Sequence, residues 1–220
     1  VYPGHKVSSY DEYTPTYCIS DHLMSLYTDN DARLKSYISK TDDKTYGRPA
    51  YHKIDDSMAS YSKYKTVSDV FCLRSAEAYL NLAEADAHLE QNVEACAVLN
   101  QLRAARISGA TDISLKGLEL VKTIREERER ELCLEGHRWF DLRRYQVDVK
   151  YPYTTTIEHT FSIYGSVNKA PKRIDYYRLE KNDAAYTLNI PKTVRDFQIS
   201  IGSNERPARV VFKSTTNEEN

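Results

Sequence analysis

From Val70 to Leu89 the chain has neither glycine nor proline, and alanine recurs at 76, 78, 83, 85 and 87. Leu73, Ala76, Leu80, Ala83 and Ala87 follow the i, i+3/i+4 rule, which winds them onto one face of a single helix. The small side chains on that face let a second helix approach closely. Asp69 or Ser68 is the expected cap of this helix. A second helical run extends from about Val93 to Ile107, carrying Ala97, Leu99 and Leu102, with Gly109 as its stop. The link Glu90–Asn92 is so short that the two helices must form an antiparallel hairpin. The chain is therefore expected to be mainly α, with a core made by helix on helix.

A third helix is expected from near Ser114, carrying Leu118, Val121, Ile124 and Leu132. Its second half is unusual. Of the 21 residues from Arg125 to Tyr145, twelve are formally charged, six of each sign. If helix continues through Gly136, Val121, Ile124, Leu132, Trp139 and Leu142 form one stripe on a 100° wheel. Arg128 and Glu135 then fall in the middle of it. Buried charges must be paired and hydrogen-bonded, or each costs several kcal/mol. Spacing offers Arg128–Glu131, Glu131 toward Glu135, and Glu135–Arg138, with Glu126–Arg130 and Glu127–Arg130 on the wet face. Arg128, Glu131, Glu135, Arg138 and Asp141 are thus read as a structural ion network. The competing reading takes Glu135, His137 and Asp141 as acid, base or ligands. His137 and Asp141 are four apart and could share a metal, but no third ligand is signalled and no HExxH spacing exists. No phosphate loop, nucleophile elbow or Cys/His pairing occurs. The expectation is no catalytic residue, no metal site and no cofactor.

The flanks differ from this middle. Residues 1–64 read as a loop-rich segment with one short helix, SDHLMSLY, capped by Ser20 and ended by Asp29-Asn30-Asp31, and broken later by Gly47 and Pro49. Residues 65–146 form the helical core. Residues 147–220 read as loops, a small hairpin and a polar tail, with IDYYRLE and AAYTLNIP flanking Lys181-Asn182-Asp183 as the hairpin arms. A formal net charge of −1 and a pI near 6.7 give no electrostatic case for nucleic acid or an anionic membrane as partner. No apolar run approaches the roughly 18 residues needed to cross a bilayer, and VYPGHKVSSYDEY does not read as a signal peptide. Cys18, Cys72, Cys96 and Cys133 lack the spacing of a disulfide framework or a zinc site. Cys72 and Cys96 near the two helix starts would lie roughly 20 Å apart in an antiparallel hairpin, so small buried hydrophobes is the expected role.

Three segments together resemble a known family. LRSAEAYLNLAEADAHL (73–89), LNQLRAAR (99–106) and IREERERELCLEGHRWFDLRRY (124–145), in that order and spacing, closely resemble the C-terminal portion of SusD/RagB-type proteins. The run EG-x-RW-x-DL-x-R is the specific part. Matching positions include Arg74, Glu77, Glu84, Arg103, Arg128, Glu131, Glu135, Gly136, Arg138, Trp139, Asp141 and Arg144. DNDARL (29–34), SKYK (62–65) and LNIPKTV (188–194) are similar more weakly, and the family's Q-N-P is replaced by FQISIGSNERP (197–207). The resemblance covers nearly all of this chain but about half of the family's usual length. The expectation is a fragment, a proteolysed product or a short member, with a missing amino-terminal half as one partner. The resemblance implies tetratricopeptide-like helix pairs packed under loop-rich regions, although the full tetratricopeptide consensus is not met. It implies a surface-exposed lipoprotein of the outer membrane that binds glycans, or in some members peptides. Such proteins lid a SusC-like TonB-dependent transporter and take up nutrients without catalysis.

Tyrosine placement fits that expectation. Of 18 tyrosines, ten fall in residues 1–64 and six in 151–190, so they concentrate in the two flanks of the helical core. A tyrosine gives a rigid apolar platform with a polar tip, which suits the C–H face and hydroxyl rim of a sugar. KTYGRPAYHK offers Tyr46, Arg48 and Tyr51 around turn-formers; YDEYTPTY offers Tyr10, Tyr13 and Tyr17 with Asp11; KYPYTTT offers Tyr151 and Tyr153. The alternative is that these tyrosines pack loops onto helices. Glu77, Glu84 and Arg103 are expected to make polar contacts between helices. Two other functions stay open: a tetratricopeptide-like scaffold with a peptide-width groove on the hairpin, and a carbohydrate-active enzyme with two carboxylates roughly 5–10 Å apart.

Overall fold

A computed structural model of the chain describes residues 19–40, 49–51, 74–133, 135–165, 171–198, 200–203 and 206–216, with backbone alone at 39–40 and 49–51. Among them are seven α-helices, a two-stranded ladder and a three-stranded antiparallel sheet near the C-terminus. The expected fold class, mainly α with a small β element late in the chain, is what is found. The chain divides into two compact units, 1–138 and 139–220.

In the first unit, α1 (Asp21–Ser25) begins where Ser20 accepts the Leu23 N–H at 3.2 Å. Next come α2 (Ala32–Ser36) and the ladder of β1 (Ile38–Lys40) with β2 (Pro49–Tyr51). The hairpin is α3 (Ser75–His88) and α4 (Asn92–Ala104), and α5 (Gly117–Glu131) packs on α3. Its interface is built as the alanine pattern dictates. Ala76, Leu80, Ala83 and Ala87 of α3 are buried with Leu99 and Leu102 of α4 and Leu120, Val121 and Ile124 of α5. The hairpin turns through Glu90 at φ +64°, and the Gln91 N–H closes it on the Asp86 carbonyl at 2.9 Å. Helix limits differ from expectation at two ends. Extended Arg74 is the N-cap of α3 and supplies no side-chain cap, while Ser68 and Asp69 lie outside the described residues. At the other end α4 stops at Ala104, because Ile107 leaves the helix to bridge Asp31. Cys96 and Cys133 are buried thiols, neither of them in a disulfide; Cys18 and Cys72 lie outside the described residues.

The connection between α4 and α5 is held by one stripe of α4. Asn100 donates to the Ile113 carbonyl at 3.1 Å and accepts the Ile113 N–H at 3.0 Å. Four residues earlier, Cys96 Sγ lies 3.4 Å from both N and O of Leu115. Four earlier again, the Asn92 carboxamide accepts the Gly117 N–H at 3.4 Å. Spacing of four on a helix matches spacing of two on an extended strand, since both advance about 6 Å.

The charged stretch is not one helix. α5 ends at Glu131, residues 132, 133, 135 and 136 are in turns, and α6 runs from His137 to Gln146. Gly136 at φ +87° redirects the chain. The expected single stripe through Leu132, Trp139 and Leu142 is therefore broken. Wheel periodicity carries no information about a glycine that takes a left-handed conformation.

In the second unit, Trp139 and Leu142 of α6 pack with Leu179, Ala185 and Tyr186, and the Trp139 Nε1–H donates to the Tyr186 carbonyl at 3.3 Å. The sheet has the order β3 (Ile157–Ile163), β4 (Arg173–Leu179), β5 (Lys213–Thr216), with Thr160 opposite Tyr176 and Tyr176 opposite Lys213. The strand expected at IDYYRLE is β4. Its expected partner, AAYTLNIP, is not a strand. Asn182 sits at φ +57° and Asp183 accepts the Ala185 N–H at 2.8 Å, which turns 184–186 into a short 3-10 helix. α7 (Lys192–Phe197) follows.

A Cβ at Gly136 would meet nothing within 4 Å, so only its backbone conformation constrains it. Gly136→Ala should destabilise by about 1–2 kcal/mol, and Gly136→Asn by less. Urea unfolding of the two variants beside the wild type checks this.

Candidate functional site

Glu131, the last residue of α5, is fully buried, and its carboxylate is shared by three guanidinium groups. Arg33 Nη1 donates to Oε2 at 2.9 Å, Arg106 donates to both oxygens at 3.0 and 3.1 Å, and Arg74 donates to Oε1 at 2.5 Å. The Tyr37 hydroxyl adds a bond to Oε1 at 3.3 Å. Around this centre the charges alternate. Arg33, 1 % exposed, also donates to both Asp31 oxygens and to Glu127 at 2.6 Å. Arg130 donates to Glu127 at 2.5 Å and to the Leu26 carbonyl at 2.9 Å. Arg74 donates to Glu135 and to the Glu131 carbonyl. The lattice so described holds four acids (Asp31, Glu127, Glu131, Glu135) and four arginines (Arg33, Arg74, Arg106, Arg130), so it is formally neutral.

Burial by itself pushes the Glu131 carboxyl up, but the Arg106 hydrogen bond and the charges of Arg106, Arg33 and Arg74 hold it down at about 2. Desolvation works against the Arg33 charge too, yet Asp31 and Glu127 keep its pKa above the ordinary arginine value. Burial, and then the Glu131 charge, raise the Tyr37 phenol. A carboxylate held fully ionised and saturated with donors is far from the range a general acid or base needs near neutrality.

The other residues read from the sequence have separate partners. Arg128 reaches across to α3, donating to Asn81 at 2.8 Å and lying 3.6 Å from Glu77. Arg138 pairs with Glu129 at 2.9 Å, and Asp141 with Arg144 at 2.9 Å. His137 lies 3.7 Å from Glu77. Glu84 of α3 pairs with Arg125 of α5 at 3.6 Å, and both are buried. Arg103 is half-buried, its Nη1 without a hydrogen-bond partner among the described residues. Among the described residues no three His, Cys, Asp or Glu side chains stand close enough to hold a metal ion.

What sequence spacing missed is the origin of the partners. It paired Glu131 and Glu135 within their own helix, whereas Arg33, Arg74 and Arg106 come from three other segments. The D-x-R of DNDARL was the available signal, since Asp31 caps α2 and clamps Arg33 in the same stroke.

Of the aromatic candidates, Tyr10, Tyr13, Tyr17, Tyr46 and Arg48 lie outside the described residues. Tyr51 ends β2, with its backbone opposite Ile38 of β1. The connection that carries Tyr46 and Arg48 therefore joins two paired strands. Its near strand starts one residue after Tyr37, and Ile38 is buried with Ile19, Leu23, Tyr27 and Cys133. Tyr151 is half-buried with the Lys150 ammonium 5.6 Å from its ring centre, and Tyr153 packs edge-on to Tyr145 at 6.3 Å. On the hairpin, an open groove of about 840 Å³ lies between α4 and residues 112–116, flanked by Val93, Ala97, Ala104 and Ile113.

The model of the SusD family matches residues 6–200. A SusD-like carbohydrate binding protein from Bacteroides vulgatus ATCC 8482 superposes with TM-score 0.52 and 20 % identity, covering 90 % of this chain and 44 % of its own. A SusD homolog from Bacteroides thetaiotaomicron VPI-5482 gives 0.52 and 24 % identity over 86 % of this chain and 39 % of its own. At these identities the likeness is one of fold, and the chain spans less than half the length of either structure. No curated protein sequence matches.

The lattice sets an acid limit. Glu131 has its folded pKa below its ordinary value of 4.5, so its contribution to stability is complete above pH 4.5 and fades as pH falls toward about 2. Glu131→Gln should cost about 3–5 kcal/mol at pH 7 by leaving buried arginines uncompensated, and should flatten the stability–pH curve between those limits. Denaturant titrations at a series of pH values read both effects.

Proposed function

The chain belongs to the SusD family, and from that premise we propose that it captures oligo- or polysaccharide at the outer surface of a bacterial outer membrane without making or breaking bonds. In this reading it hands ligand to a SusC-like TonB-dependent transporter, and a lipid anchor outside these 220 residues holds it at the membrane. The family match over residues 6–200 is the observation that carries the proposal.

Two physical features support it. The lattice around Glu131 is saturated and strongly ionised, which suits a fixed base better than a proton relay. That base ties α2, the start of α3 and the end of α4 to α5, and through Tyr37 it holds the residue next to the strand pair whose connection contains Tyr46 and Arg48. Aromatic faces stack on sugar rings and an arginine fixes hydroxyls only when the segments bearing them have firm ends. Tyr46, Arg48 and Tyr51 are the proposed contacts, with Tyr10 and Tyr13 as further platforms.

A helical-repeat scaffold is the second reading, because α4 does carry a groove. The polar stripe there is already occupied by this chain's own residues 113–117, which leaves an incoming peptide few backbone partners. Glycan capture is therefore preferred.

Affinity electrophoresis through a panel of polysaccharides should retard the wild-type chain on at least one. On that glycan Tyr51→Ala should weaken binding by about 1–2 kcal/mol, roughly 5- to 30-fold, with no reducing ends released. Absence of retardation on every glycan, or the appearance of reducing ends, would remove the proposal.

A further inference from the structure

Among the described residues, the sheet of the second unit ends on a strand with no neighbour on one side. Of the order β3-β4-β5, β3 pairs with β4 alone among the described residues. The Ile163 carbonyl accepts from Lys172 N–H at 2.8 Å, so Ile163 faces the β4 side. By alternation 157, 159 and 161 face it too, and the N–H and C=O groups of Glu158, Thr160 and Ser162 turn outward. Five of the seven β3 residues are exposed, including Phe161 at 54 %.

Natural edge strands are usually blunted by lysine, proline or a bulge. Ile157–Ile163, sequence IEHTFSI, has no lysine or proline. It is instead matched to itself. Read antiparallel about Thr160, Ile157 meets Ile163, Glu158 meets Ser162, His159 meets Phe161, and Thr160 meets its own counterpart. The outward-facing residues are the ones that would exchange hydrogen bonds. The apolar and ring-bearing residues fall at the intervening positions, where cross-strand side chains come closest. No two like charges oppose each other. Sliding by two residues sets His159 against His159 of the partner subunit in one direction or Phe161 against the partner's Phe161 in the other, and either shortens the overlap. Sliding by four sets Glu158 against the partner's Glu158, and sliding by one puts side chains on the wrong face.

We infer that β3 pairs antiparallel with β3 of a second copy of this chain, centred on Thr160, joining two three-stranded sheets across a two-fold axis. A symmetric pair needs one self-complementary patch and no other. The junction makes about six backbone hydrogen bonds and buries far less than the ~1,200 Å² of a standard interface, so the dimer is weak and concentration-dependent. This inference stands apart from glycan capture; either can fail without the other.

Three variants test it. In the pairing, Thr160 lies about 5.5 Å, Cα to Cα, from the partner's Thr160, within disulfide reach. Glu158 lies four residues, about 13 Å, from its own counterpart. Mild oxidation should therefore link Thr160→Cys into dimers at least tenfold faster than Glu158→Cys. Thr160→Pro removes one outward N–H, a change edge strands tolerate, and should weaken dimerisation at least tenfold in sedimentation velocity while circular dichroism stays unchanged. Wild type that remains monomeric across the concentration series overturns the inference, as does equal cross-linking at 158 and 160. So does a Thr160→Cys thiol that, in the longer protein, neither cross-links nor reacts with maleimide, because another segment of the same chain then covers the edge.

Discussion

A single carboxylate shared by three guanidinium groups holds the first unit together. Glu131 receives Arg33 from α2, Arg74 from the entry to α3 and Arg106 from the exit of α4. These segments are otherwise joined by loops or by long stretches of sequence. Hydrophobic burial is non-directional and would allow the helices to slide or rotate. Bidentate, charge-assisted bonds at fixed angles do not. The alanine face lets α3 approach its neighbours, and the lattice fixes where along their lengths they stop.

Such a lattice is an expensive way to fill a core. Desolvation of its members consumes much of the attraction between them, so an apolar replacement of equal shape could match its stability. What it adds is intolerance of half-measures, because loss of one member strands the rest. The neutral balance of four acids and four arginines matters for the same reason. Each charge has a neighbour of the opposite sign, and the Asp31 carboxylate serves twice, as cap of α2 and as clamp on Arg33.

Legibility in the sequence followed the range of the interaction. The α3–α4 hairpin was plain, since apolar spacing of three and four with no glycine or proline is a local signal and the link was too short for ambiguity. The burial of charge at Arg128 also followed from its wheel position. The partners did not, because Arg33 and Arg74 lie 98 and 57 residues from Glu131 and no period connects them. Gly136 hid part of the break for the opposite reason: the turn that separates α5 from α6 needs a left-handed backbone at one residue, which leaves the pattern around it undisturbed. In the second unit, alternation marked Arg173–Leu179 as a strand but could not choose its partner. Asp183, reaching forward to the Ala185 N–H, removed the nearest option and left the pairing to 157–163 and 213–216. The tyrosine candidates rest on composition and position, since the segments that carry most of them lie outside the described residues.

The ladder of Asn92, Cys96 and Asn100 has a consequence for how this fold can vary. It works as a ruler, matching each helical turn to two residues of the passing segment 113–117. Loss of one residue between Ile113 and Gly117 would offer side chains where carbonyls and amides are required, and the rungs would fail together. Changes in length are tolerable only upstream, in residues 108–112, before the segment meets its first rung. Natural relatives that keep this helix pair should therefore lengthen or shorten at one side of Ile113 and never at the other.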